Sequence, residues 1–303
     1  MIGEKNSDKL QTDAKPDTRN GMRQARGYGD GCVDTVMSVE DVAREAERIA
    51  AEAPPYETLL KLCSGEPFVT IEDLHAGYGQ MEILHGFSLA VGRGQSLCLI
   101  GPNGAGKSTV LHSIFGFTQI MGGQIIVGGK NVTRLGSNEK LKTAGIAYIL
   151  QDNSVFPDMT VEENLWMGGF LKSKPIEARQ VAERVFEKYP RLAARRSQPA
   201  RVLSGGERRL LEISRALVME PDVLLVDEPS IGLEPRFIDQ VFEILADLRD
   251  KERKTIIMVE QNAKKGLEFA DLGYVLVSGE LAKAGLGDEL LQDPDVGRLF
   301  LGG

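Results

Sequence analysis

The run Gly101-Pro102-Asn103-Gly104-Ala105-Gly106-Lys107-Ser108-Thr109 constrains this chain more than any other stretch. It follows the short apolar segment SLCLI (96–100), and a helix is predicted to begin near Lys107. A strand, a glycine-rich loop and a helix in that order form one βα unit. The glycines let the backbone curl and turn successive N–H groups inward. Those donors, with the unpaired N–H groups of the helix start, make a seat for phosphate. Lys107 adds a flexible point charge for the β and γ phosphates, Ser108 a hydroxyl for Mg²⁺, and Thr109 a bond to an outer phosphate oxygen. The loop by itself implies nucleotide binding and leaves the choice between kinase, GTPase and transport motor open.

Around this loop, apolar runs alternate with helical patterns. FVTIEDLHAGY and EILHGFSLAV read as extended segments about a turn, and QIIVGG (124–129) and IAYIL (146–150) as strands. Helices are predicted over 162–170, 176–189 and 205–219, the last with an apolar stripe of Leu210, Leu211, Ile213 and Leu217. The strand DVLLVDE follows, then a helix over 236–249, the strand TIIMVE (255–260), a helix near 261–270 and the strand YVLVSGE (274–280). That order predicts an α/β layered fold around a largely parallel sheet. Residues 1 to about 35 are polar and poor in aliphatics, which predicts disorder. SVEDVAREAERIAAE (38–52) has helical character with Ser38 as a cap, stopped by Pro54 and Pro55, and YETLLKLC predicts a further turn or two.

Two more segments carry chemistry. Val223-Leu224-Leu225-Val226 ends in Asp227-Glu228-Pro229, and two acids at the end of a buried strand are costly unless they have a task. Asp227 is placed to hold Mg²⁺, directly or through water, and Glu228 to orient or deprotonate an attacking water. Leu203-Ser204-Gly205-Gly206-Glu207 opens the helix of 205–219, a second set of free N–H donors suited to an anion. A monomer needs one phosphate seat. A second suggests that Ser204, Gly205 and Gly206 close on a nucleotide held by another subunit.

Composition excludes some classes. With 36 Lys and Arg against 44 Asp and Glu, the net charge is −8, so no nucleic-acid partner is expected. Cys32, Cys63 and Cys98 show no CxxC spacing, which fits neither a disulfide framework nor a zinc site and agrees with a reducing compartment. No apolar run reaches the roughly 18–20 residues that cross a bilayer, and MIGEKNSDKLQTD lacks the apolar core of a secretory signal. A membrane role is therefore expected to come through a partner.

Taken together, GPNGAGKST, LSGGE and LLVDEP resemble the Walker A, signature and Walker B motifs of the ABC transporter ATPase family. The resemblance implies a P-loop NTPase of the ABC ATPase type, with a RecA-like core, an antiparallel β subdomain and a helical subdomain at about 152–215. It places the ATPase domain at 67–303 and leaves 1–66 as an N-terminal extension, disordered and then partly helical. It implies ATP and Mg²⁺ as cofactors and hydrolysis of ATP to ADP and phosphate, with Glu228, Gln261 and Lys107 as the catalytic set. Tyr78, in HAGYGQ, falls where the family stacks an aromatic ring on adenine; as a lone tyrosine it would read as a packing residue. Gln151 matches the Q-loop, which senses Mg²⁺ and water and couples to a permease. DNSVFPDMTVEENL (152–165) resembles the start of the helical subdomain, whose apolar residues serve either a docking groove or the internal core.

The resemblance also implies partners: integral membrane permease subunits, a second ABC ATPase subunit forming a homo- or heterodimer, and, indirectly, a substrate-binding protein. It places the chain at the cytoplasmic face of the inner or plasma membrane, held there through the permease. LHAGYG, FPDMTVEENL, PSIGLEP and MVEQNA are similar to the LivF-like ATPases of branched-chain amino acid uptake, with urea and short-chain amide uptake ATPases as the alternative. Two positions depart from the wider family. Gln261 stands where a switch histidine is usual and cannot carry a proton charge. Ile231-Gly232-Leu233-Glu234 replaces the usual Ser-Ala-Leu-Asp, leaving the cross-dimer coupling at this loop open. A soluble ABC ATPase of DNA repair would carry a long coiled coil between Lys107 and Leu203, and no sustained heptads occur there.

Overall fold

The computed structural model describes residues 53–151 and 154–301. The helix predicted over 38–52 and the polar stretch before it lie outside them. The first described helix, α1 (Tyr56–Lys61), follows Pro55, and its Leu59 is fully buried in the main core beside Val69 and Val91. Next come β1 (Pro67–Tyr78) and β2 (Met81–Gly92), a hairpin that turns at Gly79, where φ is 59°. Val69, Ile71, Leu74 and Ala76 of β1 are all buried against the core, the two-residue alternation shifting by one at the bulge around Asp73, where φ is 50°.

The loop motif connects β3 (Ser96–Ile100) to α2 (Lys107–Phe115). Then β4 (Gln119–Val127) pairs with the free side of β1, and β5 (Lys130–Asn131) with β4. This gives an antiparallel sheet in the order β2-β1-β4-β5. The short α3 (Ser137–Thr143) leads to β6 (Ile146–Ile149).

A separate helical layer follows: α4 (Val161–Gly168), α5 (Pro175–Lys188), α6 (Pro190–Ala193) and α7 (Gly205–Leu217). Thr160 caps α4 and Glu163 reaches back to the Thr160 N–H, a reciprocal cap that fixes the helix start. This layer has its own core of Val161, Leu165, Ala182, Leu192 and Leu211. The apolar stripe of α7 is shared out, Leu210 and Leu211 to that core and Ile213 to the core of the central sheet. α7 therefore joins the helical layer to the sheet.

The rest of the chain completes the sheet with β7 (Val223–Asp227), α8 (Pro235–Asp250), β8 (Thr255–Val259), α9 (Ala263–Phe269), β9 (Leu272–Val277), β10 (Glu280–Leu286), α10 (Gly287–Gln292) and α11 (Pro294–Phe300). The order is β10-β9-β3-β8-β7-β6, parallel from β9 to β6 with β10 antiparallel at the edge. The segment 274–280, read above as one strand, breaks at Ser278 and Gly279. Two successive positive φ values, 49° and 84°, make the tight hairpin turn into β10.

Every residue of β3, β7 and β8 is buried, because both faces of the sheet are covered. Leu97, Leu99, Leu225 and Ile257 face the core shared with the antiparallel sheet, while Cys98, Ile100, Leu224 and Met258 face the core beneath α8 and α9. Period two thus sends alternate residues to different layers. Among the described residues no helix is long and apolar enough to cross a membrane.

Candidate functional site

Because β3, β8 and β7 are parallel neighbours, their C-terminal ends emerge on one edge of the sheet, where ligands of open α/β sheets bind. The loop Gly101–Gly106 leaves β3 there. Its curl depends on Gly101, Gly104 and Gly106, with φ of 145°, 81° and 97°. A Cβ on Gly101 would lie 2.2 Å from the carbonyl oxygen of Leu276, so this position is closed to any side chain. A Cβ on Gly104 would meet nothing within 4 Å, so the loop is open on that side. The loop is fastened from behind by the Gly279 N–H, which donates to Ala105 O at 3.0 Å.

Lys107 folds over the loop, its Nζ donating to the carbonyls of Gly101 and Pro102, each at 2.9 Å. Burial pulls its pKa down, and the charges of Glu228 and Asp227 push it back up. Ser108 Oγ, in the first turn of α2, donates to Asp227 Oδ1 at the end of β7 at 3.2 Å. The other carboxylate oxygen accepts from Tyr148 OH at 2.7 Å. Burial first, and then the Asp227 charge, raise the Tyr148 pKa far above the ordinary tyrosine value, so it stays a donor.

Glu228 has a left-handed backbone, φ 43°, uncommon and strained for a residue with a long side chain. Its N–H donates to Val259 O at 2.9 Å, and its Oε2 accepts from Gln151 Nε2 at 2.9 Å. Asp227 is the register partner of Val259, which puts Gln261 just past the end of β8, exposed on the same edge. A hydroxyl and a carboxylate side by side are an all-oxygen donor set of the kind Mg²⁺ takes, and the open, glycine-lined loop leaves its N–H groups room to approach phosphate. The residues present fit both groups.

Tyr78, at the end of β1, is 44% exposed and hydrogen-bonded through its hydroxyl to His112 Nδ1 on α2. The two rings meet edge to face with centroids 6.1 Å apart. Ser204 and Gly205 are exposed at the start of α7. The Ser204 hydroxyl accepts from the Glu207 N–H, and Glu207 returns a bond to the Ser204 N–H. The cavity beside them is lined by Arg191, Gly206, Leu210 and Phe237, with no residue of the 101–109 loop. The fold therefore brings Ser108 to Asp227 and Gln151 to Glu228, with Lys107 folded over the loop within reach of both carboxylate charges, and leaves Ser204 and Gly206 lining a separate cavity.

Four participants escaped the sequence reading: Tyr148, His112, Arg209 and Glu260. Glu260 is a buried carboxylate whose Oε1 accepts from Ser230 Oγ at 2.7 Å and from the Asn262 N–H at 3.0 Å, tying the loop after β7 to the loop after β8. Arg209 and Glu212, three residues apart, are the charged pair on an otherwise apolar face of α7; that spacing was the available signal. Tyr148 had only a polar tip within an apolar strand to mark it.

Residues 84–231 match the family model described as ABC transporter. The branched-chain amino acid transport ATP-binding protein BraG of Pseudomonas aeruginosa is 43% identical over 226 residues, 75% of this chain and 96% of its own length. This chain belongs to the ABC transporter ATP-binding proteins. A probable branched-chain amino acid transport ATP-binding protein, LivF of Archaeoglobus fulgidus, is 38% identical over 229 residues, 76% of this chain and 96% of its own length. The crystal structure of an ATP-binding cassette of an ABC transporter in its ADP conformation matches with a TM-score of 0.69 at 27% identity, covering 78% of this chain and 99% of that one. The ABC ATPase fold is thus present, with a RecA-like core, an antiparallel β subdomain and a helical subdomain, and the chain is related to the LivF and BraG ATPases. As an ABC ATPase it couples ATP hydrolysis to transport.

Proposed function

We propose that this chain is the ATPase subunit of a branched-chain amino acid importer, one half of a two-ATPase motor acting on membrane permease subunits supplied by a substrate-binding protein. The cargo rests on the two relatives whose names state branched-chain amino acid transport. The motor rests on one observation: a single chain presents two phosphate seats on different surfaces. The Gly101–Thr109 loop belongs with Asp227 and Glu228, whereas Ser204, Gly205 and Gly206 lie at the solvent-facing start of α7. Each chain then contributes half of two sites, and ATP completes each site between partners.

In this reading Lys107 exchanges its carbonyl partners for the β and γ phosphates, and the loop N–H groups bear on the phosphate oxygens. Ser108, Asp227 and Gln151 would hold Mg²⁺, which when bound would supply positive charge against the phosphate oxygens. Glu228 orients the attacking water and accepts its proton, and Gln151 holds the carboxylate in place. Gln261 offers its amide to a γ-phosphate oxygen without the charge a histidine would bring. Tyr78 supplies the adenine platform, steadied by His112.

The permease seat in this scheme is a cavity of about 390 Å³ lined chiefly by the apolar Phe115, Phe117, Phe156, Met167 and Phe170, with Glu212 and Arg215 beside them. Phe170 is largely exposed there. An amphipathic helix from a permease loop is the partner it suits.

The test combines two variants. Glu228→Gln should keep ATP binding and lower turnover at least 100-fold (an order-of-magnitude expectation for a lost water-orienting base). With ATP trapped in that background, a Ser204→Cys thiol should become shielded from an alkylating reagent, while ADP leaves it reactive. Equal labelling in ATP and ADP would refute the shared site. With permease and binding protein reconstituted, leucine-loaded binding protein should stimulate the ATPase; stimulation by urea or a short amide alone would reassign the cargo.

A further inference from the structure

The first turns of α7 hold a charge that the scheme above does not use. Arg209 is only 4% exposed, and its guanidinium is spread over three segments. Nη1 donates to Leu150 O at 2.8 Å and to Glu212 Oε2 at 2.8 Å, and Nη2 reaches Asp227 O at 3.4 Å. Leu150 immediately precedes Gln151, and Asp227 immediately precedes Glu228. The side chains of Gln151 and Glu228 are themselves hydrogen-bonded at 2.9 Å. One rigid fork therefore grips the backbone just before each of two residues whose side chains meet above it.

We propose that Arg209 is a positioning residue for hydrolysis, holding Gln151 and Glu228 at their working separation and tying both to the helix that carries Ser204. The inference rests on the reading of Glu228 as the water-orienting carboxylate. Three features support it. A buried ion pair is weak as a source of stability, so the Arg209–Glu212 pair at 6% or less exposure asks for a geometric role. A planar guanidinium with donors at fixed angles can define the spacing of two carbonyls, which a flexible ammonium cannot do. Glu228 also stands in a strained backbone conformation, which persists only where neighbours over-determine it.

The pair has a directional consequence. Arg209 lies five residues after Ser204 in the same helix, so a shift of α7 when Ser204 meets nucleotide pulls on Leu150 O and Asp227 O together. Seating at one site is thereby felt at the catalytic carboxylate of the other.

The experiment uses the full chain with two replacements, Arg209→Lys and the paired Arg209→Met with Glu212→Leu. The paired change substitutes apolar groups for both ions, which usually preserves folding, and thermal melting checks it. The proposal expects both proteins to keep the KM for MgATP within about threefold while kcat falls at least tenfold, since small misplacements of reacting groups are costly. In a Glu228→Gln background the same changes should lower the residual rate no further. Recovery of wild-type kcat by Arg209→Lys would show that charge balance for Glu212 is the whole role and overturn the proposal. A folded paired variant with unchanged kcat, or an equal loss in the Glu228→Gln background, would overturn it too. Normal turnover by Glu228→Gln alone would remove the earlier reading of Glu228 and this premise with it, whatever the Arg209 variants do.

Discussion

Lys140 on α3 is fully buried, with its Nζ 3.0 Å from the Ser113 carbonyl in the last turn of the helix that follows the phosphate loop. An ammonium there serves the negative end of α2 but loses nearly all its water. Burial lowers its pKa from 10.5 to about 8. The sign of the stability effect follows from proton counts. Below pH 8 folded and unfolded chains both hold the proton. Between about 8 and 10.5 the folded chain has released it and the unfolded chain has not, so stability rises with pH through this window. At about 1.4 kcal/mol per unit of pKa the full rise is about 3 kcal/mol, of which about 2 kcal/mol falls between pH 7.5 and 9.5. Lys140→Met removes the titrating group and keeps most of the volume, leaving the Ser113 carbonyl short of a donor. Urea titrations of both proteins across that range should show the wild type gaining about 2 kcal/mol on the variant as pH rises. A wild-type-minus-variant difference that stays flat, or falls, as pH rises would show that Lys140 is solvated in the folded protein and would refute the argument from burial.

The phosphate loop and the end of β8 give two further expected outcomes. Gly101→Ala forces a methyl onto the Leu276 carbonyl at a strained φ, so melting should show a loss of about 2–4 kcal/mol, with weakened ATP binding in a nucleotide titration. Gln261→His should keep or raise turnover and add a step near the histidine pKa of about 6.5 to the kcat–pH profile, and complete loss of activity would show that the site is built around the amide.

Some of this was open to reading from residues alone, and the reasons differ by element. β3, β7 and β8 each contain a continuous apolar run of four, and such runs announce strands covered on both faces. The loop 101–109 and the acids Asp227 and Glu228 were visible because glycine spacing and strand-end carboxylates have few other uses. The break at Ser278 was hidden, since a serine in a left-handed conformation is set by the hairpin and not by local preference. Tyr148, Arg209 and Glu260 were hidden for another reason. Their partners lie tens of residues away, Asp227 for Tyr148, Leu150 for Arg209 and Ser230 for Glu260, and only the sheet order brings them within reach. The split of the α7 stripe between two cores was equally invisible, because a helical period names a face and not what covers it.

β8 has one more meaning as a spacer. It stands between β3 and β7, so the strand ends that lead into the loop 101–106 and into Glu228 are held about two strand widths apart, roughly 10 Å. The loop and the start of α2 bridge that width and bring Ser108 to Asp227. The width between the strands that frame the site is therefore set by the repeat distance of the β-sheet itself, and the loop governs only how Ser108 is carried across it.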